Sequence, residues 1–275
     1  MSIRMIGLDL DGTTLDAEGS FSERTIDAFR GAMEKGAHVV IATGRAVHSL
    51  PEEIYDMDGL EYAVTSNGAR IIELGTGDTI YSNFLDGESV RIAHKILKEN
   101  NAMIELFYRG RAYIGADEFE RITTGGPTMR NRKYVSSTRT PVDDIYALLL
   151  EGAEEIENIS VNYPTIDAKL AMEDKLKAIP NVTVTSSFTY NNEIGGATTS
   201  KANALRFMME KLSVEPEELM CCGDSPNDIA MIKLAGVGVA VGNAEEVVKE
   251  IADYIAAPHY EDGVAKAIEK FVLEK

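Results

Sequence analysis

Two stretches in which short apolar strands alternate with helices, separated by a long segment of different texture, constrain this chain more than any other feature. In the first, residues 4–8 form an apolar run that ends in acidic residues and Gly12. Ser22 can cap a helix reaching about Lys35, and Gly36 stops it. His38–Ala42 reads as a second buried strand, followed by Thr43-Gly44-Arg45, and Tyr62–Thr65 as a third, ending at Ser66-Asn67-Gly68. The alternation resumes near Ser200: helix over 201–211, strand over 219–222, helix over 228–234, strand over 237–241, then helices over 245–252 and 264–272. Strands with helices between them argue for a parallel sheet covered on both faces.

The middle differs. Residues 86–100 read as an amphipathic helix, and Met103–Tyr108 with 111–114 as a hairpin turning at Arg109-Gly110. Further strands are expected over 146–150 and 182–186 and a helix over 168–178, while 115–143 gives no assignment. The fold expected is α/β: a Rossmann-like parallel sheet core from residues 1–82 and 193–275, interrupted by an α+β cap domain over 83–192.

Composition narrows the partners. With 45 acidic and 27 basic side chains, the formal net charge is −18. Such a surface repels nucleic acid and anionic membranes, so neither is an expected partner. No apolar run approaches the roughly 20 residues that span a bilayer. The first five residues lead into a strand without signal-peptide architecture, which makes the cytoplasm the default expectation. A monomer or small homo-oligomer is expected. Cys221 and Cys222 lie in a buried strand and offer no disulfide framework, and the four histidines show no ligand pairing. Glycines 236, 238 and 242 surround a strand and do not have the spacing of a dinucleotide site. A chain this acidic must supply local positive charge wherever it holds an anion.

Four segments carry chemistry. Asp9-Leu10-Asp11-Gly12-Thr13 closes the first strand, where alternation would send Asp9 and Asp11 to one side. Gly223-Asp224-Ser225-Pro226-Asn227-Asp228 closes a second strand of the same pattern. Clustered carboxylates repel unless a cation or shared proton relieves them, and Mg2+ suits oxygen ligands beside phosphate. Thr43-Gly44 can cradle an oxyanion at a helix start, and Lys201 opens a later helix. Each also has an ordinary structural reading: an acidic turn, a helix cap, a strand-to-helix turn and a solvated lysine.

Together the four resemble the haloacid dehalogenase superfamily of phosphotransferases. Asp9-Leu10-Asp11-Gly12-Thr13 resembles its first motif, Thr43 the second, Lys201 the third, and Gly223 to Asp228 the fourth. The gap between Thr43 and Lys201 matches the place where the Cof-type branch inserts a type IIB cap, and Ala235 to Ala244 and Glu261-Asp262-Gly263-Val264 are similar to that branch. The resemblance implies a phosphatase acting on small phosphorylated metabolites: sugar phosphates, nucleotides or phosphorylated cofactors. Asp9 would be the nucleophile, Asp11 the acid and base, and Lys201 a catalytic cation. The amides of Leu10 and Gly44, with Thr43, Lys201 and Asn227, would hold phosphoryl oxygens. The Asp9 side chain, the Asp11 carbonyl and Asp224 would bind Mg2+, with Asp228 completing or orienting that shell.

Two departures, the extra acids Asp16 and Glu18 and the looser Gly195-Gly196-Ala197-Thr198-Thr199, touch substrate choice more than chemistry. Arg130, Arg132, Lys133 and Arg139 form a basic cluster within the insertion, either a solvated loop or a recognition surface for an anionic part of the substrate. A sugar phosphomutase and a non-catalytic phosphometabolite sensor are the rival functions.

Overall fold

The computed structural model describes residues 2–16, 18–128 and 130–274. The chain divides into two compact units, one formed by Met1–Gly44, Leu50–Ser82 and Ser200–Lys275, the other by Arg45–Ser49 and Asn83–Thr199. Their strands, in chain order, are β1 Met5–Leu8, β2 His38–Ala42, β3 Tyr62–Thr65, β4 Arg70–Glu73, β5 Thr79–Ser82, β6 Met103–Tyr108 and β7 Arg111–Gly115. These are followed by β8 Arg139–Val142, β9 Ile156–Asn162, β10 Val182–Thr185, β11 Asn191–Gly196, β12 Leu219–Gly223, β13 Val237–Ala240 and β14 Tyr254–Ile255.

The first unit is built on one sheet in the order β14-β13-β12-β1-β2-β3-β4-β5. From β14 to β3 every pairing is parallel, and the β4–β5 hairpin adds antiparallel strands at the edge. All four residues of β1 are buried, as a central strand covered on both faces requires. The Glu23–Glu34 helix buries Thr25, Ala28, Phe29 and Ala32, a stripe at three- and four-residue spacing. Ser22 caps it, its Oγ accepting from the Thr25 amide at 3.1 Å.

The second unit holds a six-stranded sheet, β10-β11-β9-β6-β7-β8, antiparallel except for β7–β8. One face buries Ile104, Leu106, Ile159, Val161 and Ile194 against Val90, Ala93 and Leu97 of the Gly87–Glu99 helix. Alternation puts Glu105, Asn158, Ser160 and Glu193 on the other face, where they are also buried.

The expected boundary at 192/193 is corrected here. It cuts β11, which is hydrogen bonded to β9 and β10, and the unit ends at Thr199. Residues 146–150, expected as a strand, belong to the Ile145–Glu151 helix. Asp144 decides the matter, its Oδ1 accepting from the amides of Tyr146 and Ala147, which commits the apolar run to helical turns. The unassigned 115–143 stretch forms helices Ala116–Thr123 and Arg132–Thr138 and strand β8.

The basic cluster divides: Arg132 and Lys133 are exposed, whereas Arg130 and Arg139 turn inward. Arg139 donates to Glu105 Oε2 at 2.8 Å, and Arg130 donates to both Glu105 oxygens and to Asn162 Oδ1. Arg139 also stacks over Tyr134, 4.9 Å from the ring centroid. Arg132 closes on the carbonyls of Ile122 and Gly126. Burial alone would raise Glu105, yet the charges of Arg139 and Arg130 hold its carboxyl below the usual range. Arg130 and Arg139 therefore form an internal tie between β6 and the segment that follows β7.

Candidate active site

Strand order brings the chemistry-bearing loops together. β1 lies between β12 and β2, with Leu8 opposite Cys222 on one side and Ile41 on the other. Asp9, Asp224 and Thr43 thus leave three adjacent parallel strands at their carboxyl ends, where the chain turns outward in both directions and open α/β sheets bind ligands.

β1 stops at Leu8, and the Asp9 amide still donates to Cys222 O at 3.1 Å. The chain then winds around the Leu10 carbonyl, which accepts from the amides of Thr13, Thr14 and Leu15 at 3.2, 2.9 and 3.0 Å. Strand alternation therefore does not run through Asp11. Asp9 is buried, Leu10 is buried and Asp11 is exposed, so the expectation that Asp9 and Asp11 share one strand face is corrected. Gly12 turns the chain at φ 78°, and a Cβ there would stand 2.8 Å from Asp224 Oδ2. Thr13 Oγ1 donates to Asp224 Oδ1 at 3.0 Å, and Thr14 Oγ1 donates to the Asp9 carbonyl at 2.5 Å.

Lys201 joins this group from the first turn of the Lys201–Leu212 helix, which Ser200 caps by accepting from the Asn203 amide. Its side chain is fully buried, and Nζ lies 2.5 Å from Asp9 Oδ1 and 2.7 Å from Asp228 Oδ1. The other Asp228 oxygen accepts from the amides of Asp224 and Ser225 at 2.9 and 3.1 Å. Both oxygens of Asp228 are thereby committed. Ser225 Oγ donates to Asp224 Oδ2 at 3.0 Å.

On the far side of β1, Thr43 is buried and its amide donates to Val64 O. Asn67, at the end of β3, donates its amide to the Thr43 carbonyl and accepts from Asn227 Nδ2 at 3.0 Å. Sequence gives Asn67 and Thr14 no role, and Thr13 and Ser225 enter only as members of their motifs. Their only signals were the hydroxyl pair after Gly12 and a loop otherwise read as a strand end.

The electrostatics are unbalanced. Burial pushes the Asp9 carboxyl well up, opposed by Lys201 and reinforced by the charges of Asp228 and Asp224. Burial and then the Asp228 charge push Asp224 up to about 6. Burial works against the Lys201 ammonium too, but Asp228 and Asp9 more than offset it and raise its pKa. Three carboxylates share one ammonium. Asp9, Asp224 and Asp228 each offer an oxygen within 4.8 Å of the others. Clustered all-oxygen donors with surplus negative charge fit a hard divalent cation. The Asp11 carboxylate is outside this group.

A family profile described as haloacid dehalogenase-like hydrolase matches residues 6–268. The chain belongs to that family. This hydrolase is 32% identical to a 5-amino-6-(5-phospho-D-ribitylamino)uracil phosphatase of Bacillus subtilis (strain 168), covering 99% of the chain and 97% of the relative. It is 28% identical to a phosphoglycolate phosphatase of Methanobrevibacter smithii, covering 99% and 100%. Among solved structures, a haloacid dehalogenase-like hydrolase from B. subtilis superposes with a TM-score of 0.85 at 26% identity, covering 98% of this hydrolase and 100% of that chain. Among the described residues, no helix of the hydrolase is long and apolar enough to cross a membrane.

Proposed function

We propose that the protein is a magnesium-dependent phosphatase that hydrolyses small phosphorylated metabolites through an aspartyl phosphate on Asp9. One observation carries this: a buried Asp9 held 2.5 Å from the Lys201 ammonium, in a carboxylate cluster where parallel strands end. The relatives add support, because the two described above are named as phosphatases of small phosphomonoesters with different bodies.

Asp9 is the attacking group. Its oxygen bonds to phosphorus as the bond to the leaving oxygen breaks, a recognised carboxylate role. Asp11, exposed beside the cluster, gives the leaving oxygen its proton and later takes one from the water that attacks the same phosphorus. That second step releases orthophosphate and restores Asp9. Lys201 has three N–H donors and spends two on Asp9 and Asp228, so one remains for a phosphoryl oxygen. Thr43, the amides of Leu10 and Gly44, and Asn227 complete the set of donors, since positioned donors and charge are the main device in phosphoryl transfer. Mg2+, when bound, would neutralise surplus charge and orient the transferring group. Asp9, Asp224 and the Asp11 carbonyl would hold it, while Asp228, bonded to the Lys201 ammonium and to the Asp224 and Ser225 amides, would orient Lys201 and the Asp224 turn.

Substrate selection is assigned to the second unit, which acts as the cap. Sugar phosphates, nucleotides and phosphorylated cofactors are the classes to screen. Orthophosphate release across a panel of phosphomonoesters, with Mg2+ and with EDTA, tests the reading. Turnover should need the metal and vanish in Asp9→Asn. Reaction in 18O-labelled water should place the label in orthophosphate, whereas a phosphomutase would return the phosphoryl group to sugar. Undiminished turnover by Asp9→Asn would remove the nucleophile assignment.

A further inference from the structure

Three consecutive residues after β3 lie in the left-handed region: Ser66 at φ 50°, Asn67 at φ 57° and Gly68 at φ 95°. Residues with a Cβ enter that region at a cost, and adjacent examples persist only where the surroundings over-determine them. All three are buried, and their contacts show what holds them. The Asn67 amide donates to the Thr43 carbonyl at 3.0 Å. Its side-chain Oδ1 accepts from Asn227 Nδ2 at 3.0 Å and lies 3.1 Å from where a Cβ on Gly44 would stand. Gly68 is pressed on the carbonyl of Ser200, the residue before Lys201, and a Cβ there would stand 2.2 Å from that oxygen. One short loop thus touches three of the segments assigned to phosphate.

We propose that Asn67 is a positioning residue for the phosphoryl site, its backbone amide holding the Thr43-Gly44 loop while its side-chain amide holds the Asn227 turn. The proposal rests on the phosphatase reading above. Thr43 and Asn227 come from opposite sides of β1, and their donors must meet one set of phosphoryl oxygens at fixed spacing. Misplacing such groups by about 1 Å costs on the order of 100-fold in rate. Asparagine suits the position because it tolerates the left-handed backbone and carries a short group that both accepts and donates. The packing of Gly68 on Ser200 ties the same loop to the helix that presents Lys201.

Asn67→Gly removes the amide while leaving a residue at ease in this backbone. With p-nitrophenyl phosphate and Mg2+, kcat/KM should fall about 10–100-fold, the size usual for groups that orient ligands. The inhibition constant of orthophosphate should rise by a comparable factor, and the Mg2+ dependence should stay in place. Asn227→Ala, alone and combined with Asn67→Gly, completes a cycle in which the double variant loses no more than the worse single. A kcat/KM and an orthophosphate constant within about twofold of the parent in Asn67→Gly, or losses that multiply in the double variant, would overturn the proposal. If Asn67→Gly does not fold, Asn67→Asp keeps the acceptor and the backbone and should raise the orthophosphate constant through its charge; an unchanged constant overturns the proposal. Failure of the unsubstituted protein to release phosphate, or turnover surviving Asp9→Asn, would bring down the phosphatase reading itself.

Discussion

Asp224→Asn should stabilise the metal-free protein at neutral pH while abolishing turnover. Burial and the neighbouring Asp228 push the Asp224 carboxyl up to about 6, against an ordinary 3.8. Below about 4 the group is protonated in both folded and unfolded chains; between about 4 and about 6 only the folded protein keeps the proton. Folded stability is therefore fully present at low pH and is lost as pH rises through about 6. At about 1.4 kcal/mol per pH unit the gap corresponds to about 3 kcal/mol at pH 7.5. An asparagine neither titrates nor repels Asp228, so it escapes that loss. For a chain of this size the difference is on the order of 5–10 °C in the unfolding midpoint. Thermal unfolding of both proteins in EDTA across pH 4 to 7.5 measures it, together with the relief of Asp9 that follows from losing the Asp224 charge. The variant's advantage should vanish near pH 4 and grow to neutrality. With saturating Mg2+ the order should reverse, since only the parent gains full binding energy. A variant less stable than the parent at pH 7.5 in EDTA, or a difference that ignores pH, would refute the electrostatic account.

The other predictions are simpler. Glu105→Ala strands the buried Arg139 guanidinium and removes the main partner of the half-buried Arg130, and should destabilise the second unit by about 3–5 kcal/mol, read as a lower unfolding midpoint. Because Arg139 and Arg130 hold Glu105 below its ordinary 4.5, its contribution is present above that pH and lost as pH falls further, which acid titration of parent and variant checks. Gly223→Ala places a Cβ 2.4 Å from that of Asp228 and should cost at least about 10-fold in kcat/KM by shifting the carboxylate that orients Lys201. Ser22→Ala removes the cap of the Glu23–Glu34 helix and should cost about 1 kcal/mol in chemical denaturation, with kcat unchanged.

The core was legible in the sequence because its strands are short apolar runs bounded by turn residues, and His38–Ala42 and Tyr62–Thr65 fall where the pattern puts them. The second unit hid its two key strands. β9 reads Ile-Glu-Asn-Ile-Ser-Val-Asn, its polar residues buried on a face that looks solvated in sequence. β11 is asparagine- and glycine-rich, with little intrinsic strand preference, and exists through its pairing with β9 and β10. At the site, the residue types pointed to the chemistry, but the burial of Lys201 between two carboxylates is tertiary information that no local pattern carries. Asn67 was invisible for a similar reason: a left-handed backbone is written in its neighbours, and Asn-Gly there looks like any turn.

The place of β1 between β2 and β12 has a consequence for biosynthesis. During translation β1 and β2 emerge early, while the strand completing the other side of β1 waits until about residue 223 has left the ribosome. Until then β1, buried along its whole length in the folded protein, offers an open row of amides and carbonyls to any passing partner. Fragments ending before Leu219 should accordingly be aggregation-prone whatever the fate of the residues in between.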